Sequence, residues 1–516
     1  MSPSSCSTVP PTYDDAQAAA LVHNLARQLA PSGDFRIVQT HLSRVLLLPD
    51  RVLKFKRPVQ LPFANFTALH DRAHFCAEEL RLNQRLAPEL YQGVHPVGGS
   101  VAQPVLGAEP ALDWALSMRR FAADQELTQL VASGAVRLEQ VQDFGTQLAS
   151  FHQEAPRAAP DAPWGRAEQV EGAIAQVLQT LSSAAPDTWA QPVAALQAWW
   201  QRTAPRMRPL WAQRHAEGRI CEGHGDLHLG NVVCWQGRIT AFDCIEFEPA
   251  FRWLDPMADI GFFTMDLKLR GRADLAWGFL DAYLSTSGDY AGLAVLQVYE
   301  VYRALVRAMA AALAGTTDST PDYAQGALAL AQPRAPHLLI THGRSGSGKS
   351  TVALQLLQAA GAVRVRSDVE RKRLAGLPAL ADSAALGLQL YTPEHTARTW
   401  QHLLQTTRGM LQAAYAPVVV DAAFLQASQR QAFADLAVQC RVPYTILHCH
   451  APEAVLQARL AQRQAQGRDP SEANAQVLAL QVAQPLSARE LAHTLDCPTD
   501  RPWQAHELAQ RWLERS

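Results

Sequence analysis

The sequence predicts two folds in tandem: an α+β bilobal domain, then an α/β domain built on a parallel sheet. Three observations carry that reading. The glycine-rich segment Gly343–Ser350 lies between an apolar run, Leu338–Ile340, and a helical pattern from Thr351, and strands and helices alternate behind it. Upstream, the polar run Glu222–Asn231 opens into the hairpin pattern Val232–Trp235, Gln236-Gly237, Arg238–Asp243. Ahead of that hairpin come a small sheet, a helix, a strand and a long helical stretch, the order of two unequal lobes.

At 516 residues the chain exceeds one ordinary domain and can bury sizeable cores. A formal charge of −2 provides no global field for nucleic acid or an anionic membrane. The stretch Met1–Cys6 has neither a basic region nor an apolar core, so no signal peptide is read. No apolar run approaches the ~20 residues that span a bilayer. The 8 cysteines include no C-x-x-C pair, which argues against a zinc site or a disulfide framework. A reducing, cytoplasmic location is the expectation.

In the N-terminal half, residues Asp34–Lys56 read as a small sheet ending in the strand Arg51–Lys56. Lysine is rare: Lys54, Lys56, Lys268, Lys349 and Lys372 are the whole set. A compact ammonium suits a triphosphate better than a forked guanidinium, so Lys54 is the phosphate candidate of this half. The helix Arg72–Leu86 offers Glu79 to aim Lys54, with Glu78 as the alternative. No G-x-G-x-x-G loop is present, which leaves the turn Thr40–Ser43 to cover the phosphates. Trp114–Met118 reads as the strand before a hinge, and residues 122–152 as a helical pair. The Ala/Trp/Pro-rich region 153–218 places Trp199, Trp200 and Trp211 at helical spacing, most of them as core residues.

The segment Glu222–Asn231 has the H-x-D-x-x-x-x-N spacing of a phosphotransfer loop. Antiparallel pairing brings the hairpin's feet, Asn231 and Asp243, toward one site. In that chemistry Asp226 accepts the proton of an acceptor hydroxyl, while Asn231 and Asp243 coordinate Mg²⁺. Glu246, Glu248 and Asp266 read either as an attractant for a polycationic acceptor or as solvated charges.

These residues resemble the aminoglycoside phosphotransferase superfamily, a protein-kinase-like fold whose catalytic loop the HGDLHLGN run matches. The resemblance extends to Asp255-Pro256-Met257-Ala258-Asp259 and implies that Asp259 braces the catalytic loop. The remainder resembles P-loop kinases related to polynucleotide kinase, gluconate kinase and zeta toxins. The fused pair is similar to bifunctional aminoglycoside phosphotransferase/ATP-binding proteins.

The boundary falls between Gly315 and His337, giving expected domains 1–332 and 333–516. In the second, Gly343, Arg344, Ser345, Gly346, Ser347, Gly348, Lys349, Ser350 and Thr351 form the nucleotide cradle. Lys349 reaches the β- and γ-phosphates, and Ser350 holds Mg²⁺. The resemblance implies that Asp368 activates the acceptor hydroxyl and that Arg371 holds an anionic acceptor group. Asp421, at the end of an apolar strand, reads as a further Mg²⁺ ligand through water. The resemblance implies that Arg463 and Arg468 are lid residues that stabilise transferred charge, while Arg459 reads equally as a lid residue or a solvated helix residue.

The expected function is ATP- and Mg²⁺-dependent transfer of a γ-phosphoryl group to a hydroxyl by each domain. The acceptor is an unidentified small molecule, and nucleic acid enters only as a polynucleotide end. Two alternatives stay open: a regulatory N-terminal module beside one active P-loop domain, and a non-enzymatic ATP-dependent switch.

Overall fold

The computed structural model describes residues 13–61, 64–316, 321–383, 385–466 and 470–515. The chain divides into two compact units, the first running to Leu130 and including Glu222–Leu254, the second comprising Val131–Cys221 and Asp255–Ser516.

The first unit is α+β. Its sheet runs Arg36–Gln39, Ser43–Leu47, Arg51–Lys56, Asp113–Arg119, Tyr91–Gly99 and Pro104–Leu106, antiparallel throughout. Period-two alternation in Arg51–Lys56 turns Leu53 and Phe55 into a core with Leu21, Leu25 and Leu46, from which Lys54 and Lys56 point away. The helix Leu69–Asn83 buries Cys76, Glu79 and Leu82. It begins three residues before the expected Arg72 and ends three before Leu86. Its last residue, Asn83, is buried: Nδ2 donates to Glu79 O at 2.8 Å, and Oδ1 accepts from Cys244 N at 2.9 Å. The predicted hairpin pairs Val232 with Ala241. Its two turn residues, Gln236 and Gly237, have φ of 50° and 81°, the twist that two-residue hairpins require.

The second unit joins a helical layer to an α/β layer. Helices Leu138–Glu154, Ala167–Ala184, Ala190–Ala216, Pro256–Leu269, Ala273–Ser287 and Leu293–Ala314 form the first. Gly145 allows Leu138–Glu154 to lie close on Ala273–Ser287, because a Cβ there would stand 2.6 Å from Phe279 O. Asp255 caps Pro256–Leu269 by accepting from Met257 N at 3.0 Å, with Pro256 in the first turn. Asp255 also pairs with Arg214, which reaches Asp289 on its other side. Trp200 and Trp211 are buried, as the spacing predicts, whereas Trp199 is half-buried.

The α/β layer is a five-stranded parallel sheet, in the order Val363–Arg366, Val418–Asp421, Leu338–His342, Tyr444–His450 and Thr494–Pro498. Its central strands are buried along their length, which explains their nearly unbroken apolar sequence. Loops at the carboxyl ends of such strands are where ligands bind. Among the described residues, no helix is long and apolar enough to cross a membrane.

Two candidate phosphotransfer sites

In the first unit, Lys54 Nζ donates to Glu79 Oε1 at 2.8 Å and to Asp243 Oδ1 at 2.5 Å. Glu79 is fully buried and takes a second lysine on its other oxygen, Lys56 Nζ at 2.5 Å. Lys56 also pairs with the buried Glu246. Burial alone would raise the Glu79 pKa, yet the two ammonium groups hold it down to about 2. Burial likewise opposes the charge on Lys54, and Asp243, Glu79 and Glu246 together hold its pKa well above the ordinary value. Glu78, the alternative partner, pairs instead with Arg81 at 2.7 Å and Arg252 at 2.9 Å.

The polar loop is ordered by its own side chains. Asn231 Nδ2 donates to Asp226 O at 3.0 Å and to Asp226 Oδ2 at 2.9 Å, while His224 Nε2 lies 2.9 Å from Phe242 O. Asp243 has φ of 64°, a left-handed conformation that costs a non-glycine residue energy. Its amide donates to Tyr91 Oη at 3.1 Å, and its carboxylate takes Lys54. The polar loop and the hairpin therefore bring Asp226, Asn231 and Asp243 into one group, to which the strand Arg51–Lys56 adds Lys54 and the helix Leu69–Asn83 adds Glu79.

Two charges from the sequence reading fall elsewhere. Glu246 and Asp266 are buried, Glu246 with Lys56 and Asp266 with Arg270 and Tyr323 Oη, so neither is a solvated attractant for a polycation. Glu248 caps a short helix by accepting from Ala250 N at 3.0 Å. The turn expected to cover the phosphates closes without glycine: Thr40 Oγ1 accepts from Ser43 N at 2.9 Å, and Arg57 donates to Thr40 O. In the second unit, His152 Nε2 lies 3.2 Å from Asp259 Oδ2.

The second site lies at the carboxyl edge of the parallel sheet. Gly343 has φ of 145°, and a Cβ there would sit 2.2 Å from Cys449 O. The loop continues through Arg344, Ser345, Gly346 and Ser347 to Gly348, the N-cap of the helix Lys349–Ala360, whose first turn holds Ser350 and Thr351. Lys349 Nζ donates to Arg344 O at 2.9 Å. Burial depresses its pKa, against the opposing pull of Asp421, Cys449 and Asp368. A cavity of about 700 Å³ is lined by Lys349, Ser350, Asp368, Arg371, Asp421 and Arg463, among others.

Asp368 stands in the first turn of the helix Ser367–Leu374. Arg371 donates to Leu390 O at 3.0 Å and stacks over the Tyr391 ring at 4.7 Å. Arg463 donates to Ala473 O at 2.5 Å. Arg468 lies outside the described residues. Arg459 bonds Thr499 Oγ1 at 2.8 Å and Gly346 O at 3.4 Å, so it is tied to the phosphate loop.

Three residues at this site escape sequence reasoning. Gln481 accepts from Ser345 N at 2.8 Å and donates to Ser345 Oγ at 2.9 Å. Thr499 donates to Ser347 O at 3.0 Å. Arg364 is buried in the strand beside Asp421, donating to Ser350 O at 3.0 Å and to Asp421 Oδ2 at 3.4 Å. Its other face holds Asp281 of the helical layer through two bonds, at 3.1 and 2.7 Å. An arginine inside the otherwise apolar Val363–Val365 run was the available signal for it.

Residues 50–299 match the phosphotransferase enzyme family, and residues 338–485 match a family described as AAA domain. Residues 50–299 are a phosphotransferase-family domain, and residues 338–485 are a P-loop kinase domain. The protein is an ATP-dependent kinase. The chain is 29% identical over 443 residues to the uncharacterized protein Rv2004c of Mycobacterium tuberculosis (strain ATCC 25618 / H37Rv), covering 82% of this chain and 85% of the relative. The same figures hold for the uncharacterized protein Mb2027c of Mycobacterium bovis. Among solved structures, a choline/ethanolamine kinase family protein from Mesorhizobium loti matches at 17% identity and a TM-score of 0.36, over 60% of this chain and 93% of that one. The Mycobacterium tuberculosis APS kinase CysC matches at 18% identity and a TM-score of 0.26, over 35% of this chain and 96% of that one.

Proposed function

We propose that residues 1–332 and 333–516 are two active kinases, each transferring the γ-phosphoryl group of ATP to a hydroxyl of a small-molecule acceptor in the cytoplasm. One observation carries the reading for the N-terminal domain: Asp226, Asn231 and Asp243 are gathered beside a lysine already aimed by a buried glutamate. A domain that only bound nucleotide would not need Asp226.

In that domain Lys54 meets the phosphates, and Asp226 accepts the proton as the acceptor oxygen bonds to phosphorus and the bond to ADP breaks. Asn231 and Asp243 suit Mg²⁺. The Asn231 amide nitrogen is committed to Asp226, which leaves its carbonyl oxygen, and hard cations take oxygen ligands. In the C-terminal domain Lys349 and the loop amides of Gly343–Ser350 hold the phosphates, with Arg463 beside the transferred group. Ser350 and Asp421 supply oxygens for Mg²⁺, Asp368 takes the acceptor proton, and Arg371 orients the acceptor. Bound Mg²⁺ would neutralise charge on the β- and γ-phosphates.

The glycine-free Thr40 turn favours the second reading, in which the N-terminal domain only binds and regulates. A panel of sugars, nucleosides, polynucleotide ends and aminoglycosides, run with wild type, Asp226→Ala and Asp368→Ala, separates the two. Loss of different acceptors in the two variants is the expected result. Acceptor-stimulated turnover that survives Asp226→Ala for every acceptor would leave the P-loop domain as the sole kinase.

A further inference from the structure

A row of residues crosses the parallel sheet at the carboxyl ends of its strands, beside the phosphate loop. His342 pairs in register with His448, and His448 with Asp496 on the next strand. His450, two residues beyond His448, reaches the same face because strand side chains alternate. One donor atom from each of His448, His450 and Asp496 lies within 4.8 Å of the others. His450 Nε2 stands 3.1 and 3.3 Å from the two Asp496 carboxylate oxygens. The His448 and His450 rings stack with centroids 5.0 Å apart at 25°.

A fourth residue sets the chemistry of this group. His342 is buried, and its Nδ1 lies 2.8 Å from His448 Nδ1. That contact requires one nitrogen to carry a proton and the other to be bare. With His448 Nδ1 as the donor, its Nε2 keeps a lone pair, as in metal-binding imidazoles whose second nitrogen is fixed by a hydrogen bond.

We propose that His448, His450 and Asp496 bind a transition-metal ion of the zinc class, with His342 fixing the His448 tautomer. Two imidazoles and one carboxylate, with a position left for water, suit Zn²⁺, Co²⁺ or Ni²⁺. Mg²⁺ prefers oxygen ligands in an octahedron, so this site is chemically distinct from the magnesium positions of the kinase domains. Tetrahedral binding at bonds of ~2.1 Å needs donors ~3.4 Å apart. The His450 and Asp496 side chains, 45% and 63% exposed, can close that distance by rotation. His450 O accepts from Thr499 N at 2.9 Å, and Thr499 Oγ1 donates to Ser347 O, so the ion would lie one residue from the phosphate loop.

The test is a Co²⁺ titration of the untagged full chain, in excess Mg²⁺ to fill the hard-cation positions, read by visible d–d absorption. Wild type is expected to bind one ion with tetrahedral bands that Zn²⁺ displaces. His450→Ala and Asp496→Asn should each weaken binding at least about tenfold. Both positions are at the surface, and circular dichroism checks that the variants fold. His342→Phe should also weaken Co²⁺ binding while leaving the two exposed ligands in place. No tetrahedral band in wild type, equal binding by all variants, or thiolate-to-cobalt charge transfer would each overturn the assignment.

Discussion

Replacing Asp281 by alanine tests how the helical layer supports the P-loop site. Asp281 and Arg364 are buried, about 5% exposed each, and joined by two bonds. Removing one partner of a buried ion pair costs about 3–5 kcal/mol, because the remaining charge is left in a poor environment. Arg364 retains Ser350 O at 3.0 Å and Asp421 Oδ2 at 3.4 Å, which places the expected loss near the lower end, about 3 kcal/mol. The guanidinium should then draw closer to Asp421 and compete with Mg²⁺ for that carboxylate. Thermal unfolding followed by near-UV circular dichroism reads the first effect, and the Mg²⁺ dependence of acceptor phosphorylation reads the second. Asp281→Asn keeps shape and some hydrogen bonding, so it should fall between wild type and Asp281→Ala on both measures. Wild-type stability and an unchanged Mg²⁺ midpoint in Asp281→Ala would show that Asp281 supports neither Arg364 nor the Mg²⁺ position.

Four further outcomes are expected. Glu79→Gln should lower N-terminal kcat/KM by about 10²-fold, since Lys54 loses its charged guide, while leaving P-loop turnover unchanged. Lys349→Ala should lower P-loop turnover by about 10³-fold and spare any activity that depends on Asp226. Gly343→Ala places a Cβ against Cys449 O at 2.2 Å, so it should abolish nucleotide binding by that loop, measured by calorimetry with an ATP analogue. The Glu79 carboxyl has a native pKa of about 2 against an ordinary 4.5, so the unfolded state binds its proton more readily. Its stabilising contribution is complete above about pH 4.5 and disappears as the pH falls toward 2, whereas in Glu79→Gln that part of the acid transition should be missing.

The parts of both sites that repeat a local spacing were legible in the sequence. Gly343–Ser350 needs only its own glycines, the strand before it and the helix after it. Asp226, Asn231 and Asp243 needed one hairpin, and the Gln236-Gly237 turn announced it. Contacts across the fold were not legible. Gln481 reaches Ser345 from 136 residues away, and Asp281 reaches Arg364 from a helix in another layer. Lysine scarcity was informative in part. Lys54 and Lys349 stand at the proposed phosphates, but Lys268 is a buried partner of Glu300 and Tyr415, and Lys372 bonds Ala379 O and Glu472. Composition cannot distinguish a phosphate ligand from a compact ammonium that fits a small internal space. The same limit made Glu246 and Asp266 read as surface charge, because burial depends on packing that spacing does not encode.

The most direct test of two nucleotide sites on one chain is the stoichiometry of a non-hydrolysable ATP analogue with Mg²⁺, measured by calorimetry on wild type, Lys349→Ala and Lys54→Ala. Wild type is expected to bind one analogue per domain, Lys349→Ala to lose only the P-loop site, and Lys54→Ala to lose only the other. A single binding event in wild type, abolished by Lys349→Ala and untouched by Lys54→Ala, would contradict two sites on one chain.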